Sequence, residues 1–238
     1  MVDNAMSRRV IFNADDFGAS TGINHGIIDA HTKGVVTSTS FMVPGRAAGE
    51  AVEMARDHPA LSIGLHWDVW GEDERQFDTR DLDASRAELH RQLDEFDRMF
   101  GRPPTHIDSH QHAHKSDHLL PVFKEVVLPL GIPLRGVSDL NYVGGFYAQW
   151  EWKVTNLEYI SVEFLQKLLR EEAPEGWTEF SCHPGYISDD FDSIYLSERE
   201  EEVRTLTDSR ITDYLDNQGM QTGSYIDYQK ATKNTSVN

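Results

Sequence analysis

The chain has 238 residues, 39% of them hydrophobic, which is enough for one α/β domain with its own core. It carries 40 acidic residues against 22 Lys and Arg, a formal net charge of −18. Such a surface repels nucleic acid and anionic membranes, so the charge argues against both as partners and favours a neutral substrate. An acid-rich surface is also typical of proteins from high-salt habitats.

Nothing in the sequence predicts export or membrane insertion. No segment reaches the roughly 20 uninterrupted apolar residues of a membrane span, and the N-terminal residues MVDNAMSRR lack the apolar core of a secretory signal. The one cysteine, Cys182, cannot form an internal disulfide, as is usual in a reducing compartment. We therefore expect a cytoplasmic protein with a single catalytic domain over residues 1–238, flexible at about 1–8 and 229–238.

Apolar runs of strand length alternate with segments of helical periodicity, which predicts a parallel sheet or a barrel. Polar residues 71–85 are predicted to form a loop over the site, the acidic run 198–202 a solvated face, and residues 230–238 a frayed end. In chain order the predicted elements are strand 9–13, helix 22–32, strand 35–43, helix 47–57, strand 61–69, helix 87–100, strand 105–109, helix 119–130, strand 132–135, helix 161–172, strand 177–183, one or two helices within 197–218, and strand 220–226.

Residues 105–114, THIDSHQHAH, hold the densest group of ligand-type side chains. On an extended strand every second side chain points to the same face, so imidazole and carboxylate groups of one parity would crowd together. Neutral imidazole and carboxylate are the usual protein ligands of borderline divalent metals. The alternative is an exposed polar loop. The residues of this parity are His106, Asp108, His110, His112 and His114.

Other polar side chains fall at the ends of predicted strands. In a parallel α/β arrangement, ligands bind outside the carboxyl ends of the strands. A random scatter of acids and histidines would not favour this edge, so the pattern predicts one site. The residues placed there are Asp15 and Asp16 after the first strand, His66 late in the third, Asp108 and His110 after the next, and His183 after a later one.

The residue types at this edge favour metal-assisted hydrolysis. Asp15 and Asp16 cannot both stay ionised cheaply without a nearby cation, so one would bind a metal and the other would accept a proton from water. Imidazoles from His66 and His110 would complete a set of three ligands, and the metal would activate water and polarise a substrate carbonyl. His183, on another strand, suits the acid that protonates the leaving group.

Five motifs of this chain, in order, match one known family. They are NADDFG (13–18), GVVTSTS (34–40), GLH (64–66), GRPPTHIDSHQHAH (101–114) and CHPGY (182–186). Over about residues 9–227 the chain resembles the YdjC-like carbohydrate deacetylases, of the chitooligosaccharide deacetylase (ChbG-HpnK) type. Each motif is short, but five in the same order are specific.

The resemblance implies a distorted, TIM-barrel-like (β/α) barrel related to the polysaccharide (NodB-type) deacetylases. It implies removal of an acetyl group from an N-acetylated amino sugar or short oligosaccharide, by C–N amide hydrolysis at a divalent metal, and a homodimer. By position, Asp16, His66 and His110 would bind the metal, Asp15 would take a proton from the attacking water, and His183 would be the acid. Such a donor set suits Mg²⁺ or Zn²⁺, and also Mn²⁺, Fe²⁺ or Co²⁺.

Several neighbouring residues have expected supporting roles. Asp108 is expected to hold a ligand imidazole in one tautomer, and His112 to lie behind the ligands or at the surface. Arg135 would pair with Asp15, or else form an ordinary surface ion pair. Aromatic residues would form either a sugar-stacking wall or part of the core: Trp67, Trp70, Tyr142, Phe146, Tyr147, Trp150 and Trp152.

Other interpretations stay open at this point. Asp15 or Asp16 could cap the helix that follows, and His66 could be a hydrogen-bonded core histidine. A non-haem iron oxygenase would use His106 and Asp108 with a distant histidine, although that leaves Asp15 and His66 without a role. A non-catalytic sugar-binding or regulatory protein on the same fold is the other alternative.

Overall fold

The structure is a computed structural model, and it describes residues 7–69 and 77–235. Within these residues every paired strand is parallel to its neighbour. The strand order is β4-β3-β2-β1-β6-β5, with β7 beside β1. The strands are β1 Arg8–Phe17, β2 Ser38–Phe41, β3 Ser62–Trp67, β4 Ile107–Ser109, β5 Asn141–Val143, β6 Gly176–Cys182 and β7 Gln221–Thr222. The predicted α/β class and distorted barrel are confirmed.

Helices connect successive strands, and most begin near the predicted residues. The Ser20 hydroxyl accepts a hydrogen bond from the Ile23 backbone N–H at 3.1 Å, and Ser161 caps its helix in the same way. The helices are α1 Thr21–Thr32, α2 Ala48–Asp57, α3 Leu82–Phe100, α4 Leu120–Val127, α5 Val162–Glu172, α6 Ser197–Leu206, α7 Ser209–Asn217 and α8 Tyr225–Thr235. None of the described helices is long and apolar enough to cross a bilayer.

The central strand β1 is buried on both faces, as expected when helices cover a parallel sheet. Its last eight residues are all buried, including the polar Asn13, Asp15 and Asp16. The sequence predicts an end at Asn13, because the hydrophobic run stops there, but pairing continues to Phe17. The strand therefore carries the two aspartates into the interior.

The C-terminal segment differs from its prediction. Only Gln221–Thr222 is strand, and the helix Tyr225–Thr235 replaces both the rest of the predicted strand and the start of the frayed end. This helix is held because the Tyr225 and Tyr228 rings are buried against Ile11 and Leu140. Burial of two aromatic rings outweighs the polar character of the segment.

Two other predicted elements differ in detail, and one of them lies partly outside the described residues. The predicted strand 132–135 is reduced to one parallel bridge, between Leu134 and Ile107. Helix α3 begins at Leu82 and so takes up the last part of the predicted loop 71–85, whose first residues, like Trp70, fall outside the described part. The single catalytic domain stays a prediction.

Candidate active site

Asp15 and Asp16 reach the same place although they are adjacent in a strand. A regular strand would send neighbouring side chains to opposite faces. Asp16 has a φ of 74°, and the pairing of β1 with β2 shifts between Ala14 and Phe17. A left-handed conformation costs a residue with a side chain roughly 1–2 kcal/mol, and such strain is concentrated at functional sites. The irregularity turns both carboxylates towards the end of β3.

Three ligand-type atoms converge beside Asp16. Its Oδ1 atom lies 3.2 Å from His66 Nε2 and 3.3 Å from His110 Nδ1. The three residues can offer one donor atom each, all within 4.8 Å of one another. Asp16 Oδ1 is buried but has no partner with hydrogen-bond geometry among the described residues. A carboxylate oxygen and two imidazole nitrogens grouped around a common point suit the ligands of one divalent cation.

The partners of His66 leave its inward nitrogen available to a cation. Asp108 Oδ1 lies 2.7 Å from His66 Nδ1, so Nδ1 carries the proton and the lone pair of Nε2 faces Asp16. Although burial opposes the charged form, Asp108, Asp16 and Asp15 raise the pKa of His66 well above its usual value. The carboxylates thus favour positive charge at this point. A divalent cation would supply that charge in place of a proton.

A buried arginine holds the other aspartate. Arg135 donates two hydrogen bonds of 2.7 Å to the carboxylate of Asp15 and one of 2.8 Å to Glu179. A further oxygen, Oδ2 of Asp108, lies 2.7 Å from its guanidinium. Arg135 is 1% exposed, so its ion pair with Asp15 lies in the interior and not at the surface. Burial alone would raise the pKa of Asp15, but Arg135 lowers it below its usual value.

Asp15, His66 and Asp108 form a second group of closely spaced ligand-type atoms. It suits a metal less well than the first group, because Arg135 already occupies oxygens of both carboxylates. A cation would be better placed beside Asp16, which would leave Asp15 for proton transfer. This division matches the roles that the sequence assigns to the two aspartates, which stay predictions.

His183 lies close to Asp15. Its Nε2 atom is 3.9 Å from Asp15 Oδ2, and its ring stands 5.6 Å from the ring of Tyr147. Nδ1 is buried and has no hydrogen-bond partner among the described residues. Burial lowers the pKa of His183 to about 4, despite the neighbouring carboxylates. The side chain is therefore neutral at pH 7 before substrate arrives.

Helix α6 contributes an arginine that sequence reasoning missed. Arg199 donates a 2.6 Å hydrogen bond to Asp16 Oδ2 and a 3.3 Å bond to the backbone oxygen of His183. The prediction of a solvated acidic face here is wrong, because Glu198, Arg199 and Glu202 are 2%, 4% and 0% exposed. Nothing in the run SEREEE distinguishes its inward-facing residues, because their partners lie on other parts of the chain.

The prediction that THIDSHQHAH aligns five groups on one face is wrong beyond His110. Strand β4 ends at Ser109, and His110–Lys115 is a 3₁₀ helix in which Gln111 and His112 have φ values of 50° and 53°. The alternation of a strand therefore ends before the second half of the motif. His112 instead lies 3.1 Å from the Tyr142 hydroxyl, and buried His114 lies 2.6 Å from the Ser109 hydroxyl.

His106 belongs to a buried network beneath the site. Its Nε2 atom lies 3.0 Å from the Ser40 hydroxyl, which donates a 2.6 Å hydrogen bond to Asp108. Its ring stacks on Tyr225 with centroids 3.8 Å apart. His106 thus makes its contacts with Ser40 and Tyr225 inside the protein. The structure does not place it as the metal ligand that the iron-oxygenase interpretation requires.

Trp67 does not line a substrate groove. It follows His66 in β3, and neighbouring residues of a strand face opposite ways. The indole is fully buried and meets the Phe123 ring edge-on at 5.2 Å. Of the two predicted places for Trp67, a sugar-stacking wall or the core, the structure shows the core. Of the other predicted wall residues, Phe146 is buried, and the exposed rings are those of Trp150 and Trp152.

Gly64 makes room for His106. A Cβ atom at Gly64 would lie 2.4 Å from His106 Cε1, well inside van der Waals contact. We expect Gly64→Ala to lower the free energy of unfolding by about 1–3 kcal/mol, because the ring cannot move without breaking the network. Gly49→Ala is the control: it lies in α2 with nothing within 4 Å, and should stabilise by about 0.5–1 kcal/mol. Urea unfolding of both variants checks this, and equal midpoints would contradict it.

Comparison with known proteins places the chain in a family. The family model of the YdjC-like proteins matches residues 9–217. The chain belongs to the YdjC-like family. A chitooligosaccharide deacetylase of Salmonella schwarzengrund is 32% identical, over 93% of this chain and 100% of its own length. One of Salmonella paratyphi B is 31% identical over the same shares.

Solved structures confirm the YdjC-like chain's fold. An Enterococcus faecalis V583 protein, provisionally assigned to cellobiose-phosphate cleavage, has a TM-score of 0.80 at 27% identity, covering 93% of this chain and 99% of its own. The family 4 carbohydrate esterase of Streptomyces lividans has a TM-score of 0.58 at 13% identity, covering 92% and 93%. At that identity the likeness concerns the fold alone, and it agrees with the predicted α/β barrel.

Proposed function

We propose that this protein is a divalent-metal-dependent hydrolase that removes the acetyl group from an N-acetylated amino sugar or short oligosaccharide. One observation carries the proposal: the donor atoms of Asp16, His66 and His110 converge beside a second carboxylate, Asp15, that Arg135 keeps ionised. The 32% identical relative named chitooligosaccharide deacetylase supports the choice of substrate. A cytoplasmic location and a homodimer remain predictions.

Asp16, His66 and His110 would hold the metal, with Mg²⁺ and Zn²⁺ the first candidates. When bound, such a cation polarises an amide carbonyl and lowers the pKa of water. The protein fixes the ligands from behind: Asp108 orients His66, and Arg199 holds the outer oxygen of Asp16 at 2.6 Å. Partners of this kind set the geometry and basicity of the ligands.

Asp15 would act as the base. Asn13 and Arg135 donate hydrogen bonds to its carboxylate, which fixes its orientation and favours the ionised form. It would take the proton of the attacking water as the oxygen bonds to the carbonyl carbon. The low pKa makes Asp15 a weak base, so it would pass the proton on readily.

His183 would deliver that proton to the leaving amine. Its Nε2 atom is 3.9 Å from Asp15 Oδ2, close enough for transfer after a small movement. A neutral His183 can accept the proton from Asp15 and give it to the amide nitrogen as the C–N bond breaks. The products are then acetate and a free amine, and both residues return to their starting charge.

Acetate release tests the function directly. Protein stripped with EDTA would be incubated with N-acetylglucosamine and N,N′-diacetylchitobiose, before and after Mg²⁺, Zn²⁺, Mn²⁺, Fe²⁺ or Co²⁺ is added back. We expect no acetate from the stripped protein and restored release with at least one metal. Tight metal binding without acetate from either sugar would contradict a deacetylase acting on these sugars and favour a sugar-binding protein.

A further inference from the structure

A cavity lies at the end of the sheet opposite the candidate active site. Its volume is about 590 Å³, and residues just before strands line it, among them Pro59 before β3 and Thr105 before β4. The ends of α2 and α3 contribute Arg56 and Phe100, and α8 contributes Gln229. Because catalytic groups stand at the carboxyl ends of the strands, this cavity at the amino ends is a separate place.

Apolar and polar surface both line the cavity, and the apolar share is somewhat the larger. The size of the cavity falls within the 300–1,000 Å³ typical of small-molecule pockets. Leu130 is 54% exposed, so a large apolar side chain is left in contact with solvent beside the cavity. An apolar ligand would remove this surface from water. The apolar lining includes Met99, Phe100, Pro104, Leu130, Ile132 and Ile226.

The charged lining is entirely positive in a strongly acidic protein. Arg56, Arg102 and Lys233 line the cavity, and none of its lining residues is an Asp or Glu, although the chain has 40 of them. Arg56 is compensated, because its guanidinium lies 2.5 Å from Glu53. The cavity lining thus carries positive charge in a chain whose net charge is strongly negative.

Arg102 is the least compensated of these groups. It is half-buried between Gly101 and Pro103, and it forms no hydrogen bond or ion pair with any residue of the described ranges. Burial lowers its pKa, with no acidic group acting in the opposite direction. Removing a guanidinium from water without a partner costs free energy, which an anionic ligand would recover.

We propose that this cavity binds a small amphiphilic anion, with the hydrocarbon part against the apolar wall and a carboxylate or phosphate on Arg102. The planar guanidinium matches both anions through paired hydrogen bonds. Lys233 supplies a second positive charge at the same cavity. The site is independent of the proposed deacetylase activity, because no residue of the candidate active site lines it.

Isothermal titration of the full chain with octanoate, octyl phosphate and neutral 1-octanol tests this proposal. These share one hydrocarbon chain and differ in the head group. We expect at least one anion to bind about tenfold or more tightly than 1-octanol, because the charged head group gains the arginine. The tighter anion identifies carboxylate or phosphate as the natural head group. Equal affinity for 1-octanol, or no binding of either anion at millimolar concentration, would overturn the proposal.

Substitutions locate the binding. R102Q should weaken the anions about tenfold or more and leave 1-octanol unchanged, and it should fold because no partner is lost. R98Q is the matched control, since Arg98 is exposed on α3, pairs with Glu95 and does not line the cavity. Ala55→Phe keeps every charge but fills the cavity, and should abolish binding of all three compounds. Unchanged anion binding by folded R102Q, or by folded Ala55→Phe, would place the ligands elsewhere.

Discussion

Replacing Asp15 with asparagine is expected to lower kcat by roughly 10²–10⁴-fold while the metal stays bound. Asparagine has the shape of aspartate but cannot accept the proton of the attacking water. The ligand atoms of Asp16, His66 and His110 are untouched, because Asp15 contributes to the arginine network and not to this group. The measurement is acetate release alongside the metal content of the same preparation.

We expect the Asp15→Asn protein to fold. Arg135 keeps Glu179 at 2.8 Å and Asp108 at 2.7 Å, so its charge remains compensated. Asp29→Asn is a matched control for loss of a carboxylate, since Asp29 pairs with Lys33 on α1. Its turnover should be that of the unaltered protein. Near-normal turnover in folded Asp15→Asn protein would rule out Asp15 as the base.

The parts of the site that depend on strand ends were predictable from the sequence. Apolar runs mark the buried strands, and parallel strands bring their carboxyl ends to one edge. Asp16 and His66 lie near the carboxyl ends of β1 and β3, His110 directly follows β4, and their ligand-type atoms meet within 4.8 Å. The sequence predicts that Asp15 and Asp16 both belong to the site. It does not predict that both carboxylates turn to the same side of the strand, because that depends on the φ of 74° at Asp16.

The predictions that failed or stayed open share a physical cause. Local composition leaves a sugar-stacking wall and the core both open for Trp67, and it predicts contact with solvent for Glu202. Their positions follow from strand parity and from a tyrosine hydroxyl seven residues away: Trp67 points away from His66, and Glu202 accepts a 2.5 Å hydrogen bond from Tyr195. Tyr225 is another such case, since its place beneath the site comes from stacking on His106. Tertiary contacts of this kind leave no local signal.

The second large effect expected is loss of the metal from ligand variants. Asp16→Ala, His66→Ala and His110→Ala should each fail to retain metal after dialysis and should release no acetate above background, because two ligands remain of three. Asp108→Asn should instead cause a smaller loss of metal affinity. It keeps all three ligands but weakens the hydrogen bond that orients His66, so metal affinity should fall roughly 10–100-fold.

This order of effects separates ligands from supporting residues. Titration of EDTA-stripped protein with Zn²⁺ or Mg²⁺ gives the affinities, and circular dichroism shows that each variant is folded. His90→Ala is the control for loss of an imidazole, because His90 is exposed on α3. It should bind metal as the unaltered protein does. Full affinity in folded His66→Ala protein would remove His66 from the ligand set, and a loss in Asp108→Asn equal to that in His66→Ala would make the carboxylate a ligand itself.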